Sequence, residues 1–250
     1  MKRVLQILIW LGLAAWFVLV MGFVSGESDE VICNRIDVIL TDTVNNRFVT
    51  RGQVREILQS PDLQLQGYPL SVINTRELEQ ILEGNPFIRN VEVSKDISGR
   101  LEVMVEQREP LVRILPEGQR GFYLDREGKV MPLSDHFTPL IMLASGEIPG
   151  PPSTGEPGGI LEEIFAFCTY LDGHPLWKEQ VVQVYVNSDG GFELIPRVGA
   201  HRILLGSMEQ WERKLDNLEL LYRQGLSRYG WNNYETINLK YTNQVICTKR

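Results

Sequence analysis

Three groups of residues in this 250-residue chain have the types that catalysis or phosphate binding needs, but none has the required spacing. Ser134-Asp135-His136 contains the side chains of a hydrolase triad, yet consecutive residues point in different directions and cannot assemble one. Glu162 and Glu163 are adjacent on a predicted helix, where neighbouring positions diverge by about 100°, so they do not form an acid–base pair. Gly128-Lys129 resembles the end of a phosphate-binding loop, but Tyr123 occupies the position of that loop's first glycine. We therefore expect that the protein is not an enzyme and has no catalytic residues.

The spacing of the histidines and cysteines also argues against a metal or cofactor site. The histidines are far apart in the sequence and form no paired-ligand motif. Three cysteines cannot all pair, and no two have the Cys-x-x-Cys spacing of a zinc site. The sequence therefore predicts no metal, no cofactor and no small-molecule substrate, and it leaves open whether Cys33 and Cys247 pair. The residues considered are His136, His174, His201, Cys33, Cys168 and Cys247.

Composition excludes two further classes of protein. With 43% hydrophobic, 9% aromatic and 23% charged residues, the chain is typical of globular proteins and not of a disordered one. The formal net charge of −7 disfavours a nucleic-acid-binding protein, whose surface would be basic.

The N-terminal segment predicts a membrane anchor. Val4–Val24 carries no charge, and a helix of that length spans about 30 Å, the thickness of a bilayer hydrocarbon core. Lys2 and Arg3 precede it, which favours a cytoplasmic tail at residues 1–3 and an extracytoplasmic remainder after a linker at 25–30. The alternative is a cleaved signal peptide, but the apolar run is long and lacks a good cleavage site. We expect a single-pass, type II protein that contacts the lipid bilayer through this helix.

Residues 31–109 predict a small α+β domain. Apolar residues alternate along Asn34–Leu40, which indicates a half-buried strand. Thr50 and Gln53 have the spacing of a capping box, and Asn74 opens a second helix that Gly84 ends. Two strands follow, with their apolar residues at Val91, Val93, Leu101, Val103 and Val105.

Residues 110–250 predict a larger, mixed β-domain with two helices. One helix is expected over Ile160–Leu171, and another carries the apolar stripe Met208–Leu221 and ends at Gly225. The last strand is expected over Thr236–Thr248. The other expected strands are Leu111–Leu115, Gly121–Leu124, Val130–Leu133, Pro139–Leu143, Val181–Val186, Phe192–Ile195 and Ile203–Leu205.

The segment Pro86–Leu111, PFIRNVEVSKDISGRLEVMVEQREPL, closely resembles the end of the POTRA module in the FtsQ/DivIB family of bacterial cell-division proteins. The resemblance continues in Tyr123–Val130, Pro139-Leu140, Leu204-Leu205-Gly206 and Ile237–Tyr241. It implies a transmembrane helix, a POTRA domain of order β-α-α-β-β and a β-domain. Asn238 and Lys240 depart from the family's usual Asp and Arg.

The same resemblance implies a function. The family's members are non-catalytic scaffolds of the divisome, the cell-division machinery, at the septum of the inner membrane, with their domains in the periplasm. They link FtsB/DivIC-like and FtsL-like membrane proteins and so control septal cell-wall synthesis. The family's POTRA module helps to bring the protein to the septum. In this chain the two candidate contacts are the edge strand nearest the membrane and the helix pair at Thr50–Leu58 and Asn74–Glu83. A competing interpretation is a POTRA-type periplasmic chaperone for outer-membrane or secreted β-proteins, which would be expected to carry several POTRA repeats or a barrel.

The predicted binding site is the last strand, because nothing follows it but Lys249 and Arg250 to cover its outer edge. In the family this region receives the extracytoplasmic segment of the FtsB/DivIC partner, and Tyr241 matches an aromatic residue important there. The alternative is that Tyr241 packs with Leu239 and Val245 on the Met208–Leu221 helix. The predicted partner-binding residues are Tyr241, Lys240, Thr242, Gln244 and Ile246.

Overall fold

A computed structural model describes residues 10–21, 31–41, 46–152, 155 and 157–250. The chain divides into two compact units, Met1–Gln107 and Arg108–Arg250. Each unit has its own sheet and its own buried residues, and each is described separately below.

The N-terminal helix α1 covers residues 10–21, and its side chains are exposed. The predicted membrane span Val4–Val24 continues on both sides into residues that lie outside the described part, as do the predicted tail at 1–3 and linker at 25–30. Within the described ranges, no helix has both the length and the apolar character to cross a membrane.

The first unit has the predicted strand and helix order β-α-α-β-β. Strand β1 pairs parallel with β3, which pairs antiparallel with β2, so that β1 and β2 are the two edges of a three-stranded sheet. The alternating apolar residues of β1 and β3 are buried, as predicted. The elements are β1 (Arg35–Leu40), α2 (Arg51–Leu58), α3 (Thr75–Glu83), β2 (Ile88–Lys95) and β3 (Arg100–Gln107).

Local side-chain bonds fix where the two helices begin. Thr50 and Gln53 form the predicted capping box, in which each side chain bonds the backbone of the other. The Asn74 side chain accepts the backbone N–H of Glu77 at 3.4 Å, so the predicted start of α3 is also confirmed.

The second unit is built on a nine-stranded mixed sheet of order β12-β11-β10-β9-β8-β7-β4-β5-β6. Its core lies where apolar side chains of this sheet meet those of α4 and α6. The strands are β4 (Pro110–Pro116), β5 (Phe122–Asp125), β6 (Val130–Pro132), β7 (Met142–Gly146), β8 (Val181–Val186), β9 (Phe192–Pro196), β10 (Arg202–Gly206), β11 (Tyr234–Asn238) and β12 (Ile246–Lys249). The helices are α4 (Ile160–Gly173), α5 (Trp177–Gln180), α6 (Trp211–Leu220) and α7 (Ser227–Tyr229), with a π-helical segment at Leu221–Leu226.

The prediction of two helices for this unit is wrong. α5 is an additional short helix, and the second predicted helix does not end at Gly225. It continues through the π-helical segment, because Tyr222 and Leu226 are buried and hold the chain against the core. Packing of these two side chains overrides the tendency of glycine to end a helix.

The predicted single strand over Thr236–Thr248 is also wrong. The chain forms a hairpin instead, in which β11 pairs antiparallel with β12 and Thr236 lies opposite Thr248. The intervening residues 239–245, here called the Tyr241 loop, turn at Thr242-Asn243. Leu239, Tyr241 and Val245 keep the apolar face of a strand on both sides of the turn. That face is interrupted only at Asn243, and this pattern hides the turn.

Candidate partner-binding edge

Strand β12 is an edge of the nine-stranded sheet. β11 pairs with one side of it, and among the described residues no strand covers the other side. In an antiparallel ladder, alternate residues of an edge strand turn their N–H and C=O groups outward, where a further strand can bond them. Ile246 is 43% exposed at the start of this edge. The edge therefore has the geometry that strand addition requires.

The Tyr241 loop, which leads into that edge strand, carries an exposed aromatic side chain. Tyr241 lies outside any strand and is 57% exposed. Leu239 is buried in the core and Val245 packs against the core, whereas Tyr241 belongs to neither group. Leu239 and Val245 thus pack with the core that includes α6 side chains, whereas Tyr241 lies outside that core.

Four of the five predicted partner-binding residues line one groove of about 460 Å³. They are Lys240, Tyr241, Thr242 and Gln244, while Ile246 lies in β12. Across the groove stand Gln210 and Lys214, and Gln210 has a left-handed backbone with φ of 52°. Non-glycine residues adopt this conformation rarely, and such residues cluster at functional sites. Whether these side chains bind a partner remains a prediction.

Two side chains of helix α6 hold the groove together, and the sequence analysis missed both. Lys214 is only 2% exposed, and its ammonium donates to the carbonyls of Leu205 at 3.1 Å and Ser207 at 2.7 Å. Burial lowers the pKa of Lys214, and the charge of Glu209 opposes that effect. Asn217 donates to the carbonyl of Thr242 at 2.9 Å. Their position in the sequence could have indicated this role, because Lys214 and Asn217 lie next to the apolar stripe of α6 and not on the opposite, solvent-facing side of the helix.

A second buried polar contact lies near the C-terminal end of β12. His201 is buried, and its Nε2 lies 3.1 Å from the hydroxyl of Tyr222. Burial lowers the pKa of His201, the backbone of Trp231 opposes that effect, and the charge of Arg250 lowers the pKa slightly further. The Arg250 guanidinium donates to the carbonyl of Ala200, so the residue after β12 is bonded beside this histidine.

The remaining residues with reactive side chains have local structural roles. The Ser134 hydroxyl accepts the backbone N–H of His136 at 3.2 Å, which stabilises a turn. Glu162 and Glu163 lie in the first turn of α4, where negative charge is favourable. Burial raises the pKa of Cys168 to about 12, and all three cysteines are free thiols. Within the described ranges, no group of histidine, cysteine and acidic residues is arranged to hold a metal ion.

Comparisons with known proteins agree with the two-unit architecture. A family profile described as "FtsQ/DivIB, C-terminal related" matches residues 109–248, and one described as a POTRA-like domain matches residues 31–106. The chain is also 24% identical over 183 residues to the cell division protein FtsQ of Geotalea daltonii. That alignment covers 71% of this chain and 64% of the relative.

Proposed function

Because the chain belongs to the FtsQ/DivIB family, we propose that it is a non-catalytic scaffold of the bacterial division machinery. It recruits and links membrane proteins and thereby controls septal cell-wall synthesis. The observation that carries this proposal is the outer side of β12, which no described strand covers, together with the exposed Tyr241 in the loop that leads into β12. An edge strand with an adjacent aromatic anchor is suited to binding an extended segment of another protein.

The proposed partner at this edge is an FtsB/DivIC-like membrane protein, and an FtsL-like protein joins the same assembly. Main-chain hydrogen bonds to β12 give the partner segment its register, and the Tyr241 ring gives it a rigid apolar contact with a polar tip. Lys240, Thr242, Gln244 and Ile246 surround that contact. No nucleic acid, cofactor or small substrate is needed for this function.

Depletion of the protein in its native cell tests the function. Loss of a divisome scaffold should produce filaments without septa. Normal division with failed outer-membrane assembly would instead favour the POTRA-type chaperone. The wild-type gene supplied in trans is the control, and it should restore septa.

The protein is proposed to sit in the inner membrane at the septum, with its two folded units in the periplasm. The support is the uncharged segment Val4–Val24 and the basic residues before it. N-terminal sequencing of protein extracted from membranes should begin at or near Met1. A sequence beginning near Ser25 would show a cleaved signal peptide and contradict the anchor.

The POTRA-like unit is proposed to make the contact that brings the protein to the septum. A fluorescent fusion lacking residues 31–107 should reach the membrane without gathering at midcell. The full chain with the same fluorescent protein is the control. Midcell accumulation of the shortened protein would disprove this role.

A further inference from the structure

Helix α6 lies beneath the groove that contains the Tyr241 loop, and Lys214 is its most buried charged residue. A lysine ammonium is costly to bury unless its donors are bonded. Here it bonds two carbonyls, those of Leu205 and Ser207, and among the described residues no carboxylate forms an ion pair with it. The two carbonyl bonds therefore hold the ammonium in the core, and its role depends on the part of the chain to which those carbonyls belong.

The two carbonyls that Lys214 bonds lie on either side of Gly206. Gly206 has φ of +75°, a conformation that glycine adopts easily and other residues rarely do. A Cβ atom placed on Gly206 would lie 2.9 Å from Cγ of Lys240. The ammonium therefore fixes a turn against which the first part of the Tyr241 loop packs directly.

The far side of the loop is held by the same helix. Asn217 lies three residues after Lys214, on the same helix face, and donates to the carbonyl of Thr242. The N–H of Leu239 donates to the carbonyl of Leu204 at 2.8 Å, just before the turn. Tyr241 thus lies between two fixed points, Lys240 and Thr242, and its ring remains exposed.

We infer that Lys214 is a positioning residue for partner binding: with Asn217 it preorganises the Tyr241 loop, which holds the exposed Tyr241 in place just before β12. The effect on partner binding rests on the proposed function, whereas the effect on the geometry of the loop does not. A loop held in its bound conformation before binding loses less entropy when the partner arrives.

The test compares Lys214→Met with Arg213→Met in the full chain. Met retains the length of the lysine stem and removes its donors, and Arg213 is the neighbouring exposed position on α6. Lys214→Met should raise amide hydrogen exchange in residues 239–245 about tenfold relative to β8 and β9, because two carbonyls lose their donor. It should also weaken binding of a peptide copying the extracytoplasmic segment of the proposed partner about tenfold. Arg213→Met should change neither.

A second variant, Asn217→Ala, decides the question if Lys214→Met does not fold. Asn217→Ala removes only the anchor at Thr242, and it should raise exchange in the second half of the loop while β10 keeps wild-type protection. Wild-type loop exchange in folded Lys214→Met would overturn the inference, and so would an equal rise across residues 108–250, which indicates a general stabiliser. If Lys214→Met does not fold, wild-type loop exchange in Asn217→Ala overturns it. If the wild-type chain fails to bind the peptide while the loop responds as expected, the proposed function fails and the positioning role stands.

Discussion

The small sheet and the large sheet each end in an antiparallel edge strand, and the two edges differ in how their outward groups are used. On β2 of the small sheet, the backbone N–H of Val93 donates to the carboxylate of Glu79 at 2.9 Å. Glu79 comes from α3, so this edge is occupied by a side chain of its own unit. On β12 of the large sheet, no side chain among the described residues bonds the outer backbone groups.

This difference shows which edge suits a partner strand. Proteins protect edge strands that must not pair, and a charged side chain bonded to the edge is one such protection. The β2 edge is protected in this way, which leaves β1 or the helices for any contact of the POTRA-like unit. The opposite edge of the large sheet is also protected, since β6 has three residues and ends at Pro132. Among the described residues of the large sheet, β12 has an outer side that no strand covers and an exposed tyrosine in the loop that leads into it.

The largest expected effect concerns the protected end of the large sheet. Asp125 ends β5, forms an ion pair with Arg108 at 2.9 Å and accepts the N–H groups of Glu127 and Lys129. Asp125→Ala should destabilise the second unit by about 3 kcal/mol, because it removes the acceptor of a nearly buried ion pair and of the turn that leads to β6. Chemical denaturation measures the effect, with the exposed Asp135→Ala as control. A loss below about 0.5 kcal/mol would show that the β5–β6 edge does not depend on this bond.

The next effect concerns the open edge. Tyr241→Ala should weaken partner binding by about 2 kcal/mol or more, as expected for an aromatic hot spot, while the melting temperature stays nearly unchanged. Tyr68→Ala, which removes another exposed tyrosine from the first unit, is the control. Full recovery of the partner in a pull-down with folded Tyr241→Ala would contradict the assignment of the site.

A smaller effect is expected at the protected β2 edge. Glu79→Ala should cost about 1 kcal/mol, since it frees the N–H of Val93 at a partly exposed position. It should also increase self-association, because the freed edge can pair with a second copy. Sedimentation velocity measures the self-association. Gln80→Ala, one residue along the same helix, is the control and should self-associate no more than the wild type. If Glu79→Ala behaves like this control, the two edges do not differ in protection.

The smallest effect is a pH dependence confined to the second unit. Burial keeps the pKa of His201 below its ordinary value of 6.5, so below that pH the unfolded chain takes up a proton that the folded chain resists. Stability from this group is complete above pH 6.5 and declines as the pH falls. Residues 31–107 contain no histidine, so the first unit should not respond in this range. Hydrogen exchange at about pH 7.5 and about pH 5.5, corrected for intrinsic rates, measures this in each unit. His201→Gln should remove the dependence, while His136→Gln, at an exposed position, should keep it.

The first unit was largely predictable because its signals are local. Thr50 with Gln53, and Asn74 with Glu77, satisfy helix N–H groups within one turn, so their spacing alone specifies the start of each helix. Strand β3 has apolar residues at alternate positions, and their burial confirms the alternation. The bond between Glu79 and Val93 was not predictable, since it depends on how the helix packs on the sheet.

The candidate site was harder to predict because tertiary contacts form it. The open edge could be expected from the position of the last strand, but the turn at Thr242-Asn243 lacks the glycine or proline that marks most turns. Lys214 resembles an ordinary surface lysine of an amphipathic helix. Only the packing of α6 under Gly206 turns its ammonium toward two carbonyls.

The chain order of the strands has a consequence for biosynthesis. A protein leaves the ribosome N-terminus first, and its earlier regions fold first. β11 and β12 follow every other strand of the large sheet, and β11 joins it through parallel pairing with β10. A nascent chain that stops before Tyr234 has the preceding strands and no partner edge. We therefore expect that arrested nascent chains do not capture the proposed partner in a pull-down, so unfinished molecules do not compete with finished ones for it.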